Sequence, residues 1–130
     1  MDHPNLQLVR GLLEAFMRGD ADALRAAFQP DIRLEASGYG PAAGTYDGAD
    51  AVLGYFFAGD HMDDYRLEVV DMLASDERVA VIAKTSGRRG DTTIVNDYVQ
   101  AIRLIDGKVV EIRNYNWDQR AIAEFMAVAA

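Results

Sequence analysis

The stretch Asn96–Asp118, NDYVQAIRLIDGKVVEIRNYNWD, decides the fold. Two runs rich in Val, Ile and Tyr flank Asp106-Gly107, one of the strongest local signals for a β-hairpin. Loop length then sets which side chains share a face. With a loop of Asp106 and Gly107 alone, Gln100 would oppose Arg113 and Ile102 would oppose Glu111, mixing charged and apolar groups on both faces. A loop of Ile105-Asp106-Gly107, with Gly107 in the left-handed conformation of a bulge, shifts the pairing by one residue. One face then collects Asn96, Tyr98, Gln100, Ile102, Leu104, Val110, Ile112, Asn114 and Asn116. The other collects Asp97, Arg103, Glu111 and Arg113 with Val95, Val99 and Tyr115. A sheet with one buried face requires this segregation, because a slip of one residue would bury the charges. The pattern therefore predicts the three-residue loop.

The uncharged face changes character along its length. It is aliphatic near the turn and becomes amide and phenol farther away, at Asn96, Tyr98, Gln100, Asn114 and Asn116. Asn is depleted in strands and a buried amide needs partners, so this cluster points to a cavity holding water or a polar ligand, with fraying of this end of the hairpin into solvent the plainer alternative. These five residues are the candidate ligand-binding group, placed to meet a ligand carbonyl or hydroxyl.

A chain of 130 residues fits one domain, 1–130, able to bury a sizeable core without a metal or disulfide. With no cysteine, it offers no thiol nucleophile and no cysteine-ligated zinc. Thirteen basic against twenty-one acidic residues give a net charge of −8, which disfavours nucleic acid and anionic membranes as partners. Arg88-Arg89 is the only adjacent basic pair and reads as part of a Gly-flanked turn, Gly87 to Asp91. The start, MDHPNLQ, lacks the basic and apolar segments of a signal peptide, and no stretch reaches the length of a membrane span. The expectation is a cytoplasmic protein without cofactor or metal; His3 and His61 alone cannot make a multi-histidine site within one chain.

Taken in order, Leu6, Val9, Leu12, Leu13, Phe16 and Met17 recur at helical spacing, with Asp2 as a cap ahead of Pro4 and Gly19 as a stop. Asp20 caps a second, shorter helix ended by Pro30. Ile32 to Ala36 alternates as a strand with Ile32, Leu34 and Ala36 inward. A glycine-rich loop from Ser37 to Gly48 carries Tyr39, a candidate ligand contact at a cavity mouth. A third helix beginning at Asp47 or Gly48 presents Val52, Leu53, Tyr55, Phe56 and Phe57. Its aromatic stripe serves the core, and Phe56 is also a candidate ligand wall. Strands Tyr65–Ser75 and Arg78–Ser86 precede the hairpin, and Asp118 caps a last helix with Ile122, Phe125 and Met126 on one side. Helices gathered against a largely antiparallel sheet make an α+β domain, and a sheet this long curls.

Three segments, LLEAFMRGDADALRAAFQPDIRLE, YDGADAVLGYFF and the hairpin itself, resemble the nuclear-transport-factor-2-like superfamily in its SnoaL-like branch over nearly the whole chain. The resemblance implies a curved sheet wrapped by helices, a conical cavity and a homodimer through the convex sheet face. It also implies a small-molecule ligand, because the superfold hosts isomerases, dehydratases, cyclases and epoxide hydrolases as well as non-catalytic binding or interaction domains. Measured against ketosteroid isomerases, the general-base aspartate falls on Ala36, the helix-borne tyrosine on Leu12 and the protonated aspartic acid on Gln100. Against limonene-type epoxide hydrolases, Arg113 and Tyr115 agree, the water-activating aspartate falls on Asn114, and the remaining pair would lie near Ala83 to Thr85.

An obvious base is missing. Asp118, near the cavity rim, and His61, in GDHMDD, are the two catalytic candidates, with helix capping the plainer role for Asp118 and a solvated site the plainer one for His61. Trp117 is expected to seal the cavity floor or a dimer edge.

Overall fold

A computed structural model describes residues 3–57 and 62–127. The elements run α1 (Pro4–Met17), α2 (Ala21–Ala27), β1 (Phe28–Ala36), β2 (Gly44–Asp47), α3 (Ala49–Phe57), β3 (Asp63–Ala74), β4 (Arg78–Arg89), β5 (Thr92–Ile105), β6 (Lys108–Asn116) and α4 (Gln119–Met126). The strands form one sheet in the order β2-β1-β6-β5-β4-β3. Every neighbouring pair is antiparallel except β1–β6, which is parallel.

Local chemistry explains most boundaries. Pro4 opens α1, whose cap is His3, its ring Nδ1 accepting from the Asn5 N–H at 3.1 Å; the expected cap Asp2 lies outside the described residues. Gly19, at φ +74°, turns the chain into Asp20, whose carboxylate accepts from the Ala23 N–H at 3.0 Å and opens α2. That hydrogen bond holds the Asp20 carboxyl below its ordinary range. The second helix stops at Ala27, earlier than Pro30 suggested. Pro30 instead lies in the irregular part of β1, between the pairs Phe28–Val109 and Arg33–Glu111, where its missing N–H breaks no ladder bond. The expected loop Ser37–Gly48 also shortens, because Gly44–Asp47 pairs with β1 as an edge strand.

The decisive hairpin keeps its segregated faces by a different device. Ile105 pairs with Lys108, and Asp106 and Gly107 both take positive φ (+51° and +76°), so the turn has two residues rather than three. The one-residue shift is made instead where Leu104 pairs with Val109 but Arg103 pairs with Glu111, leaving Val110 as a bulge. Val109 is therefore the fully buried residue and Val110 is only partly covered, the reverse of the expected placement. Beyond the bulge, Ile112 and Asn114 are buried, while Arg113 is exposed and ion-paired with Glu35 (3.3 Å) and Glu111 (3.4 Å). The Gly87–Asp91 turn narrows likewise to Gly90-Asp91, and Arg88 and Arg89 belong to β4.

The core lies between the inner sheet face and the helices, with Val9, Ile32, Leu34, Val52, Val79, Val81 and Val109 fully enclosed. Arg89 is buried at the sheet end. Its Nη1 donates to the Met126 carbonyl at 2.9 Å and its guanidinium sits 5.5 Å from the Phe125 ring centroid, tying α4 to the sheet. No helix among the described residues is long and apolar enough to cross a membrane.

Candidate functional site

The inner sheet face, α1, α3 and α4 enclose a cavity of about 690 Å³. One wall is aromatic because α3 sets Tyr55, Phe56 and Phe57 toward α1. Phe16 packs at 5.6 Å from both Phe56 and Phe57, and Tyr55 stands edge-on to Phe56 at 5.4 Å and to Tyr46 at 4.9 Å. The opposite wall is the uncharged face of β5 and β6.

That face ends in a connected polar group. Gln100 and Asn114 pair directly across the two strands and are 8% and 6% exposed. Gln100 Nε2 donates to Asn114 Oδ1 at 2.9 Å, and Asn114 Nδ2 donates to the Tyr55 hydroxyl oxygen at 3.1 Å. Nearer the rim, Asn96 Nδ2 donates to Asn116 Oδ1 at 3.0 Å, while the Asn116 N–H donates to Ser37 Oγ at 3.0 Å. Buried amides are costly unless partnered, and this network supplies partners while leaving further donors and acceptors facing the cavity.

The phenols are largely withdrawn from solvent. Burial pushes the Tyr65 hydroxyl up to about 12, and Tyr98 is driven upward by the same cause. Tyr55 is also raised by burial, with the Asn114 hydrogen bond pulling the other way. The three hydroxyls reinforce one another, since ionising one would disfavour ionising the next. All three stay neutral at physiological pH.

Each ligand candidate from the sequence, Asn96, Tyr98, Gln100, Asn114, Asn116, Phe56 and Tyr39, lines this cavity. The catalytic candidates do not gather there. Asp118 is exposed, accepts from the Ala121 N–H at 3.0 Å as the cap of α4, and is not part of the lining. His61 lies outside the described residues. Trp117 is 87% exposed and so does not form the cavity floor. Tyr55, Tyr65, Ser37 and Thr85 line the cavity without having been singled out for it. Only Tyr55 carried a signal, as a member of the aromatic stripe, and nothing in the spacing told that its oxygen would meet Asn114.

The sequence profile of the SnoaL-like domain matches residues 9–112. The chain belongs to the SnoaL-like family. An NTF2-like protein from Burkholderia xenovorans LB400 is 31% identical, the match covering 94% of this chain and 95% of that one, with a TM-score of 0.80. Bal32a, from a soil-derived mobile gene cassette, is 24% identical over 94% and 95% of the two chains, with a TM-score of 0.86. TerC, co-crystallised with polyporic acid, is 21% identical over 97% and 100%, with a TM-score of 0.79. No protein of curated function matches the sequence.

Within this SnoaL-like frame, the positions singled out by the ketosteroid isomerase comparison all line the cavity, as Leu12, Ala36 and Gln100. The departures thus fall at the cavity itself, which carries an apolar residue or an amide where those enzymes carry ionisable groups. The epoxide hydrolase agreement at Arg113 and Tyr115 lies on the outer sheet face, since both are exposed and neither lines the cavity.

Proposed function

We propose that the protein binds a small, mostly apolar, oxygen-bearing molecule, with its rings against the aromatic wall and its oxygen at the Gln100–Asn114–Tyr55 pole. The observation that carries this reading is the junction of a cavity of about 690 Å³, a size typical of small-molecule sites, with a buried and internally bonded amide pair. Among the described residues no Asp, Glu, His, Lys or Arg lines the cavity. What the pole offers is neutral hydrogen bonding, worth a few kcal/mol where it meets a developing oxyanion in a dry site. Isomerisation or cyclisation through a polarised carbonyl fits this lining, as does binding without turnover. Hydrolysis needs a base that the described lining does not hold. TerC, of the same fold, was co-crystallised with an organic molecule, which supports a ligand site. Native mass spectrometry of the purified protein, as isolated and after incubation with oxygenated two- and three-ring compounds, tests the reading. A retained adduct is expected, and bare protein throughout would overturn it.

We also propose pairing of two copies through the outer sheet face. Ile82, Val99 and Tyr115 form one cross-strand row there, with Ile82 36% and Tyr115 49% exposed. The Lys84–Asp97 and Arg113–Glu35 pairs border the row and would set orientation. Light scattering should give twice the chain mass, and Val99→Glu should return the single-chain mass; a monomeric parent protein refutes the proposal.

A further inference from the structure

We propose that Tyr55 is the donor that polarises a ligand carbonyl in this cavity, and that Gln100 and Asn114 are positioning residues holding its O–H toward the ligand. This rests on the reading of the cavity as a small-molecule site and names the chemistry that site selects.

Gln100 and Asn114 face each other across β5 and β6 on the inner side of the sheet and are largely buried. Asn114 Oδ1 is engaged by Gln100 Nε2, so the Asn114 amide presents its NH2 group to Tyr55. The Tyr55 oxygen is thereby an acceptor and must send its own hydrogen elsewhere. Among the described residues no acceptor receives it, and Tyr55 lines the cavity. A hydroxyl that accepts a hydrogen bond becomes a stronger donor, because each bond in a chain polarises the next. The relay therefore ends in a donor awaiting an acceptor oxygen.

Two neighbours extend the demand. Tyr65 and Tyr98 also line the cavity, and neither hydroxyl has a hydrogen-bond partner among the described residues. Phe16, Phe56 and Phe57 border the same space and suit a flat ring system. Donors gathered beside aromatic walls favour a carbonyl conjugated to a ring, as in an aryl ketone or a quinone, over an aliphatic alcohol, whose hydroxyl would bring another proton to a place already supplied with them.

The test uses 2-acetylnaphthalene labelled with ¹³C at its carbonyl, and naphthalene as the ring without the oxygen. Bound to the parent protein, the labelled carbonyl should absorb at lower frequency than in an apolar solvent. Tyr55→Phe, which removes only the oxygen, should raise that frequency and weaken the ketone roughly 3- to 10-fold while leaving naphthalene unchanged. Gln100→Met keeps Tyr55 and should reduce the frequency shift, a readout that a merely structural role would not move. An unaltered carbonyl frequency in Tyr55→Phe would mean that the relay runs backward, with Tyr55 donating to Asn114, and would overturn the inference. Equal weakening of both compounds would also overturn it, as a packing effect. If both compounds bind and the tyrosine change does nothing, only this inference falls; if neither binds the parent protein, the ligand-site reading falls with it.

Discussion

Replacing Asn114 by Leu separates the two jobs of the polar pole. The side chains have the same number and branching of heavy atoms, so the change removes two hydrogen bonds, at 2.9 Å to Gln100 and 3.1 Å to Tyr55, and the added bulk of the methyl groups has the adjoining cavity to enter. Gln100 Nε2 would lose its acceptor in a nearly sealed site, a penalty of about 1–3 kcal/mol. Against that, a buried leucine side chain contributes about 1.5–3 kcal/mol of apolar burial. The two effects nearly cancel, and stability in urea should change by no more than about 1.5 kcal/mol with the slope of the transition preserved. Affinity should not cancel. Tyr55 loses the partner that orients its hydroxyl, so 2-acetylnaphthalene should bind about 3- to 10-fold more weakly, no more than on loss of the Tyr55 oxygen itself and as expected for loss of about 0.6–1.4 kcal/mol of hydrogen bonding, while naphthalene binds as well or better. Titration calorimetry with both compounds, paired with urea unfolding followed by circular dichroism, reads the two effects independently. Unchanged ketone affinity would refute the assignment of the pole, and destabilisation well beyond 3 kcal/mol would refute the claim that the pole is dispensable to the fold.

Three further outcomes follow from the same structure. The Tyr65 hydroxyl rises from 10.0 to about 12 on folding, so its contribution is complete below pH 10 and is lost as pH climbs through 12, at most about 3 kcal/mol; absorbance at 295 nm should show buried tyrosines ionising only as the protein unfolds. Gly40→Val would put a Cβ 2.8 Å from that of Ala123 and hold a branched residue at φ +106°, so α4 should lose amide protection from hydrogen exchange while the β4–β5 pairing keeps its own. Asp118→Ala should lower stability by about 1 kcal/mol through loss of the α4 cap and leave ketone affinity unchanged, whereas a large loss of binding would return Asp118 to the site.

The hairpin shows what could be read from the sequence and what could not. Charge segregation between Gln100 and Arg113 was enough to fix which face looks inward, because burying Arg113 or Glu111 would cost far more than any turn geometry. It could not say where the register shifts, since a bulge at Gly107 and one at Val110 give the same faces from Glu111 onward and differ only at Val109 and Val110. Asp-Gly settled the matter through its own turn preference. The amide cluster was legible for the opposite reason: Asn96, Gln100, Asn114 and Asn116 are poor strand formers with no local role, so a cavity was the economical account. Pro30 misled because a proline ends a helix or occupies an irregular strand equally well, and only the pairing of β1 with β6, distant in sequence, decides between them. Tyr55 was hidden by a similar gap in information. Its position on α3 follows from helical spacing, but its contact with Asn114 joins residues 59 positions apart.

The parallel neighbour of β1 has a consequence for synthesis. β6 lies between the early pair β1–β2 and the later run β3–β4–β5, so every ladder bond linking those two groups passes through residues 108–116. On the ribosome, the first pair and the later meander can assemble apart, but nothing stitches them until that segment emerges. A nascent chain halted after Ile105 would hold two unjoined pieces with unpaired edges, prone to sticking to other chains, and the chamber would come into being only once residues 108–116 had left the ribosome.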